Sequence, residues 1–522
     1  MIRFRHRIFL LAFAAALSLG ADAWAEGIFP VNDAGTGVFD QPSVAAHGTV
    51  LHVAFLGGGS AAGPFRLYYA AVNGGADFTN KATTRAQVLL TAPFAISDAL
   101  YTDARHPQVA LRSATEVAIL FQAIPAGDTS YKLFRALLTI DNNAVTTQRV
   151  GEIVDPFGGR MAGRLVDPSF ALVASDNSLR VTYTDDSSGI GNVYYARVGV
   201  DNAFLVGSRI LLSSRSNTQG VQPLPRLRLD GNNSSHVVWA ANNNDPTRTP
   251  SGIYYAMVHA VPPVVVDNLA IGATQVLWGG YRWGFPNVLH HTNNSVWILA
   301  ADEDPPGSAG LAGSLGITQV DPYAVTRDGN PVDVNNIGEN SRFFKNPPGG
   351  SVLSSNFDAY HPEGFLDDSQ RVHLAGYGFR GGPPLFQGTP GRFYSMSLGT
   401  TTTNVGTASL FATMITAPVS VGTGDVAFAT QIPGDYTRPA FAHFNRTAVQ
   451  FWSGPDSVVS EARNLYVTST LDAPDDSPDQ SGCSMVGDPR RGETGRIPGA
   501  AVLLLPAVLL ALRKGLRKAF AR

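Results

Sequence analysis

The chain has 522 residues, 44% hydrophobic and 15% charged, with 54 Gly, 34 Pro, one Cys and a formal charge of −3. That length can bury a large core, and a single cysteine excludes an internal disulfide framework, so the fold must hold by burial and backbone pairing. Without residues 1–25 and those after Cys483, the body carries 27 basic against 38 acidic side chains, a net −11 that argues against nucleic acid or anionic lipid as main ligand.

The first 25 residues, MIRFRHRIFLLAFAAALSLGADAWA, set Arg3, Arg5 and Arg7 before an apolar run from Ile8 to Leu19 and end on Ala23-Trp24-Ala25. These are the parts of a secretory signal peptide cleaved after Ala25. The apolar run, 12 residues long, is too short to span a bilayer, which takes roughly 20.

From Gln41 onward one pattern recurs seven times: a proline with alternating apolar residues, a polar turn, a second apolar strand, a Gly/Asp/Asn-rich loop, and a third strand often containing Tyr-Tyr-Ala. The marking prolines are Pro42, Pro107, Pro168, Pro225, Pro286, Pro362 and Pro439, spaced 65, 61, 57, 61, 76 and 77 residues apart. Period-two patterning, Val/Tyr/Phe/Trp enrichment and flanking turn formers predict strands. A fourth strand fits before each following proline, as at 86–92, 208–214 and 274–280. Four-stranded units repeated radially predict an all-β fold, a seven-bladed β-propeller, with six or eight blades as alternatives. The seventh copy has no obvious fourth strand, and GIFPVND, just after the cleavage site, is expected to supply it.

The stretch DDSSGIGNVYYAR (185–197) resembles the sialidase-like and BNR-type propellers of secreted proteins. The Ser-x-Asp-x-Gly-x-x-Trp box of that group is nowhere intact, so the resemblance implies architecture and imports no catalytic site.

In a propeller, the loop before each repeat proline and the loop between second and third strands gather on one face, here the leading face, where binding residues are expected. Those leading loops hold Arg105, His106, Arg160, Arg164, Asp167, Trp278, Tyr281, Arg282, Trp283, Tyr360, His361, Asp435, Tyr436 and Arg438. Ligand-binding candidates are Arg105, His106, Arg164, Asp167, Trp283, His361, Tyr436 and Arg438. Three guanidinium groups, Arg105, Arg164 and Arg438, would suit clamping a carboxylate. Sialidases use such a trio, but with six blades, a tyrosine paired with an acid and a separate acid/base carboxylate that no spacing here identifies; arginines paired with neighbouring carboxylates are the plainer alternative. The cluster WGGYRWGF (278–285) suits stacking on a sugar or peptide, or filling space between blades. His290 and His291 are adjacent, so on a strand they face opposite ways. The loops TDDSSGIGN, ANNNDPT and ADEDPP offer oxygen ligands for calcium, or ordinary turn chemistry. Neither a Gly-rich phosphate loop nor a Gly-x-Ser-x-Gly elbow occurs.

The C-terminal end runs from Ser481-Gly482-Cys483 through a spacer to the apolar segment 497–512 and the basic residues Arg513, Lys514, Arg517, Lys518 and Arg522. Sixteen helical residues cover about 24 Å, short of a ~30 Å hydrocarbon core, and the positive tail suits a cytoplasmic side. This order resembles the C-terminal sorting signals of Gram-negative bacteria, and its Gly-Cys form is similar to the JDVT-CTERM subclass; the spacer is longer and more charged than that pattern. The resemblance implies cleavage near Gly482-Cys483 by an intramembrane sorting protease, a transient inner-membrane stage through the C-terminal helix, and transfer to the cell surface.

The expected organisation is a signal peptide (1–25), a β-propeller (26–470), a linker with the sorting motif (471–496), a transmembrane helix (497–512) and a basic cytoplasmic tail (513–522). The expected function is an exported binding module for a glycan, peptide or partner protein, without a cofactor apart from the calcium these loops would suit. The alternative is a carbohydrate-active enzyme, a sialidase-like hydrolase or lyase, with its site on the leading face.

Overall fold

The computed structural model of the chain describes residues 29–32, 37–60, 63–78, 80, 83–173, 176–187, 189, 191–213 and 223–242, then 251–258, 274–277, 283–290, 296–302, 315–320, 342–344, 357–366, 372–380, 390–399, 411–416, 426–427, 440–444, 447–455 and 463–469. It separates into two compact units, Met1–Ala473 and Pro474–Arg522. The predicted signal peptide, sorting motif and apolar segment 497–512 lie outside the described residues. Among the described residues no helix is long and apolar enough to cross a membrane.

The described part of the first unit is all-β. After β1 (Phe29–Pro30) come β2 (Val38–His47), β3 (Val50–Gly58), β4 (Phe65–Asn73) and β5 (Leu89–Ala95), here called the first module. The second module is β6 (Tyr101–Ser113), β7 (Glu116–Pro125), β8 (Lys132–Asp141) and β9 (Ala144–Glu152). The third is β10 (Leu165–Val173), β11 (Ser178–Asp185), β12 (Asn192–Val198) and β13 (Ile210–Ser213), and the fourth β14 (Arg226–Leu229), β15 (Ser235–Asn242), β16 (Ser251–Val258) and β17 (Thr274–Leu277). The fifth is β18 (Trp283–His290), β19 (Val296–Asp302), β20 (Leu315–Val320) and β21 (Arg342–Phe344). The sixth is β22 (Phe357–Leu366), β23 (Val372–Arg380), β24 (Pro390–Gly399) and β25 (Phe411–Thr416), with β26 (Val426–Ala427) also on β24, and the last is β27 (Ala440–Phe444), β28 (Thr447–Pro455) and β29 (Arg463–Ser469). Within each module the strands pair antiparallel in chain order. The first strands pack side by side in a cycle, β2 on β6, β6 on β10, β10 on β14, β14 on β18, β18 on β22, β22 on β27 and β27 on β2. This is a propeller-like arrangement of four-stranded antiparallel sheets.

Each sheet is sandwiched between two others, and the middle strands show it. Alternate residues of β7 serve opposite cores: Val117, Ile119 and Phe121 join the core shared with the first module, Ala118 and Leu120 the core shared with the third. Burial therefore runs continuously along β3 and β7 where the sequence predicts an apolar–polar alternation, because both faces are covered.

The repeat proline has a specific place. In β2, Asp40 pairs with Leu56 and Ser43 with Ala54, so Gln41 and Pro42 together oppose Phe55 alone. The same bulge recurs at His106-Pro107, Asp167-Pro168, Phe285-Pro286 and His361-Pro362. A bulge leaves a residue out of the ladder, so a proline there forfeits no hydrogen bond. The residue before it bends into the left-handed region, with φ of 50° at Gln41, 50° at His106, 53° at Asp167 and 43° at Leu224. One position past the proline, a side-chain oxygen stitches neighbouring modules: Ser43 Oγ accepts from Val109 N (3.0 Å), Gln108 Oε1 from Phe170 N (3.2 Å) and Ser169 Oγ from Leu227 N (3.0 Å).

The N-terminal segment completes the last module. Phe29 and Pro30 pair antiparallel with Val467 and Tyr466, and Val31 N donates to Leu465 O at 2.7 Å. Asn32 and Asn464 meet through their side-chain amides. Val38 lies parallel to Arg463 and links β2 to β29. The fourth strand predicted over 86–92 starts only at Leu89; Arg85–Val88 form one helical turn, in which Gln87 Oε1 accepts from Thr84 N at 2.7 Å. That turn places Arg85 to donate to the carbonyls of Pro30 and Val31, both at 2.8 Å.

Candidate functional site

Several residues expected on leading loops sit inside strands. Arg105 and His106 lie within β6, Asp167 within β10, Trp283 at the start of β18, and Tyr360 and His361 within β22. The strand runs several residues past the proline in both directions because the bulge absorbs it without ending the ladder. Arg160 and Arg164 do lie between β9 and β10. Trp278, Tyr281, Arg282, Asp435, Tyr436, Arg438 and the side chains of Trp283, Tyr360 and His361 lie outside the described residues.

Arg105 and Arg164 come together around a tyrosine the sequence did not single out. Asp103, on the same strand as Arg105, has one carboxylate oxygen that accepts from Phe65 N (2.7 Å) and another that accepts from Arg105 Nε (3.1 Å) and the Tyr131 hydroxyl (2.6 Å). The Arg105 guanidinium lies over the Phe65 ring, 4.3 Å from its centroid, and that of Arg164 lies 5.6 Å from the centroid of Tyr131. Arg164 is also ion-paired to Asp186, and Lys132 Nζ donates to Gly163 O. Arg160 sits between Glu152 (3.0 Å) and Asp128 (3.3 Å). Burial raises the Glu152 carboxyl despite that arginine, and the backbone N–H groups of Thr129 and Ser130 lower that of Asp128.

This face is made by converging elements. Phe65 opens the third strand of the first module, Asp103 and Arg105 sit at the head of β6, Tyr131 ends the β7–β8 connection, Arg164 immediately precedes β10 and Asp186 immediately follows β11. Gly63, at φ 88°, brings backbone against this cluster: a Cβ there would stand 2.9 Å from Arg105 Nη2 and 3.3 Å from Asp103 Oδ1.

His106 and Asp167 also meet, Nε2 to Oδ1 at 3.5 Å. Their backbone N–H groups, turned aside by the bulge, donate to Gln41 Oε1 (2.7 Å) and Gln122 Oε1 (2.5 Å). Farther round, Arg226 Nη2 approaches Glu363 Oε1 at 4.0 Å and Asn287 Nδ2 donates to Glu363 Oε2 at 2.8 Å. Burial pushes the Glu363 carboxyl up and the Arg226 guanidinium down, each partly offset by the other's charge. Arg226, Asn287 and Glu363 all stand one residue after a repeat proline, a shared offset by which the sequence alone could have singled them out.

Of the loops suited to calcium, TDDSSGIGN has its acids engaged: Asp185 accepts from Ser187 and pairs with Arg209, and Asp186 pairs with Arg164. ANNNDPT beyond Asn242 and ADEDPP beyond Asp302 lie outside the described residues. Among the described residues no group of three or more His, Cys, Asp or Glu is placed to hold a metal ion.

Each described guanidinium on this face is thus matched to a carboxylate. What it offers is the half-buried ring of Tyr131, framed by ion-paired hydrogen-bonding groups over the buried Phe65, and a phenol whose proton is directed at a carboxylate.

No protein-family model and no curated protein matches the sequence. Similar solved structures include polysaccharide lyase Uly1, 11% identical over 83% of this chain and 89% of that one, TM-score 0.43. Others are a Trypanosoma rangeli sialidase mutant displaying trans-sialidase activity (9% identity, 83% and 54%, TM-score 0.37) and the endo-arabinase of Bacteroides thetaiotaomicron (11%, 54% and 94%, TM-score 0.33). At these scores the likeness assigns neither a blade count nor a site.

Proposed function

We propose that this chain is an exported seven-bladed β-propeller whose leading face binds carbohydrate at the cell surface. The seven first strands packed in a cycle, with the N-terminal strand on β29, support the count. The observation that carries the ligand class is the Asp103–Arg105–Tyr131–Arg164 cluster. Its cations are already neutralised, so it has little to gain from an anion. The Tyr131 ring and its hydrogen-bonding rim suit a sugar, whose C–H face stacks on an aromatic while its hydroxyls meet polar groups. Glycan and peptide arrays on the purified chain test this: saturable glycan binding lost in Tyr131→Ala and Arg164→Ala is the expected result. Binding confined to peptides, or glycan binding indifferent to both changes, refutes it.

A second reading, a hydrolase or lyase on the same face, is favoured by the Tyr131 hydroxyl held 2.6 Å from Asp103, which places a base beside a phenolic nucleophile. Reducing-end release or unsaturated products from polysaccharides, abolished in Tyr131→Phe, would establish it; binding without turnover leaves the first reading.

Address belongs to the same proposal. Export removes residues through Ala25, and the sorting protease acts near Gly482-Cys483 after a pause in the inner membrane. Cys483→Ala is expected to stay in the inner-membrane fraction. Intact mass showing residues beyond Cys483 on surface-exposed protein contradicts it.

A further inference from the structure

The bulges set the modules in register, and one corresponding pair of positions changes chemistry between them. In the first module, His52 Nδ1 meets the Tyr69 hydroxyl at 2.7 Å; in the fourth, His236 Nδ1 meets Tyr255 at 2.9 Å, and its Nε2 faces Asp230 at 3.3 Å. In the third module the pair is Arg180 and Tyr195. In the second, counting from the residue opposite the bulge, the histidine position is Ala118 and the tyrosine position is Arg135. The place of Asp230, five residues past the proline, is taken by Arg112. An acid, an imidazole and a phenol in the fourth module thus become two guanidinium groups and a methyl.

Where the imidazole is missing there is a cavity of about 10 Å³, lined by Arg112, Ala118, Arg135 and Leu137 of the second module and by Leu172, Asn177, Leu179 and Val200 of the third. Arg135 is 3% exposed. Its terminal nitrogens donate to Gly199 O (3.2 Å) and Val200 O (2.5 Å), while its Nε–H is buried with no partner. Among the described residues no carboxylate lies within ion-pair distance of Arg135; Glu116, half-buried, is 3.6 Å from Arg112. Asn177 Oδ1, the one side-chain oxygen in the lining, already accepts from Arg112 Nε at 3.2 Å.

We infer that this cavity is a halide site, taking a single chloride ion between the second and third modules on Arg135, Arg112 and the Asn177 amide. The volume admits one water-sized particle. A halide only accepts hydrogen bonds, and the lining side chains offer it donors and apolar groups, their one oxygen, Asn177 Oδ1, being already engaged. Arg112 is paired with Glu116, but the buried Arg135 charge has no carboxylate within ion-pair distance among the described residues and calls for the same occupant. In keeping with this, burial and the Arg112 charge lower the Arg135 guanidinium to about 10, with Asp201 offsetting in part.

Two measurements on the full chain test it. Chloride NMR line widths should broaden saturably and sharpen when bromide competes, and bromide-soaked crystals should show an anomalous peak beside Arg135 Nε. Arg135→Gln should weaken halide affinity at least tenfold, whereas Arg66→Gln, at an exposed arginine, leaves it within twofold. Ala118→His combined with Arg135→Tyr, which installs the pair of the first and fourth modules, should fold without the halide response. A water without anomalous signal, absence of saturable broadening, or halide binding that persists in this double variant overturns the inference.

Discussion

Asn32 ties the first described residues of the chain to the last module, and its replacement measures what that tie contributes. The side chain is 1% exposed; its Nδ2 donates to Asn464 Oδ1 at 2.7 Å, and its Oδ1 accepts from Leu465 N at 2.7 Å. Asn32→Ala removes both bonds and leaves the Leu465 N–H, in the interior of β29, without this acceptor. Losing a buried partner costs about 1–3 kcal/mol per group left behind, so roughly 3 kcal/mol is expected here. Arg85→Met, which removes two bonds to the carbonyls of Pro30 and Val31, should cost less, because these bonds are part-buried whereas those of Asn32 are buried. Urea unfolding followed by tryptophan fluorescence reports on the ring, since Trp452 packs on Tyr466 within the last module. A lower midpoint for Asn32→Ala, and a larger loss on deleting residues 26–38, are the expected results. An Asn32→Ala chain, or a chain lacking 26–38, that unfolds at the wild-type midpoint would refute closure by the N-terminal strand.

Two further outcomes follow from the same geometry. Burial, with help from His47, lowers the His52 imidazole from its ordinary 6.5 to about 4, so the unfolded chain takes up this proton before the folded one. The associated stability is fully present above pH 6.5 and lost as pH falls towards 4, about 3 kcal/mol over the window; His52→Phe should flatten that part of the pH–stability curve, and an unchanged slope argues against the assignment. Gly63→Ala puts a methyl against Arg105 and Asp103 at a φ that disfavours any side chain, so about 1–3 kcal/mol of stability and most ligand affinity should go together, whereas loss of stability alone would uncouple this turn from the site.

The repeat was legible because each copy keeps a proline, a turn and a Tyr-Tyr-Ala-like strand, and the need for a closing strand was legible from what the last copy lacked. The bulge was not. Proline reads as a strand boundary, and only pairing partners reveal that β6 already holds five residues before His106. For the same reason Arg105 and Asp167 looked like loop residues. Asp103 and Tyr131 escaped notice because they are 28 positions apart and meet only when β6 and the β7–β8 connection fold onto one face. Ala86–Val88 looked like strand because their apolar pattern suits either state; the Thr84–Gln87 hydrogen bond decides it.

The position after the repeat proline carries the argument from fold to function one step further. In the first three modules it holds Ser43, Gln108 and Ser169, each accepting from the next module's backbone. The next module presents Arg226, which has no acceptor to offer. There the stitch cannot form, and Val288 N instead bonds to the side chain of its own neighbour Asn287 at 2.8 Å. Released from that duty, Arg226 and Asn287 both turn to Glu363, two modules and one module away respectively. A single offset in the repeat thus divides the cycle into an arc where side chains bind the next first strand's backbone and an arc where side chains converge on Glu363. Glu363, held between an arginine and an amide, is a carboxyl on that arc whose protonated form burial favours. The acid a hydrolase or lyase would need is therefore to be sought there, across the cycle from Tyr131 and Asp103, and Glu363→Gln abolishing turnover while sparing sugar binding is the outcome that would identify it.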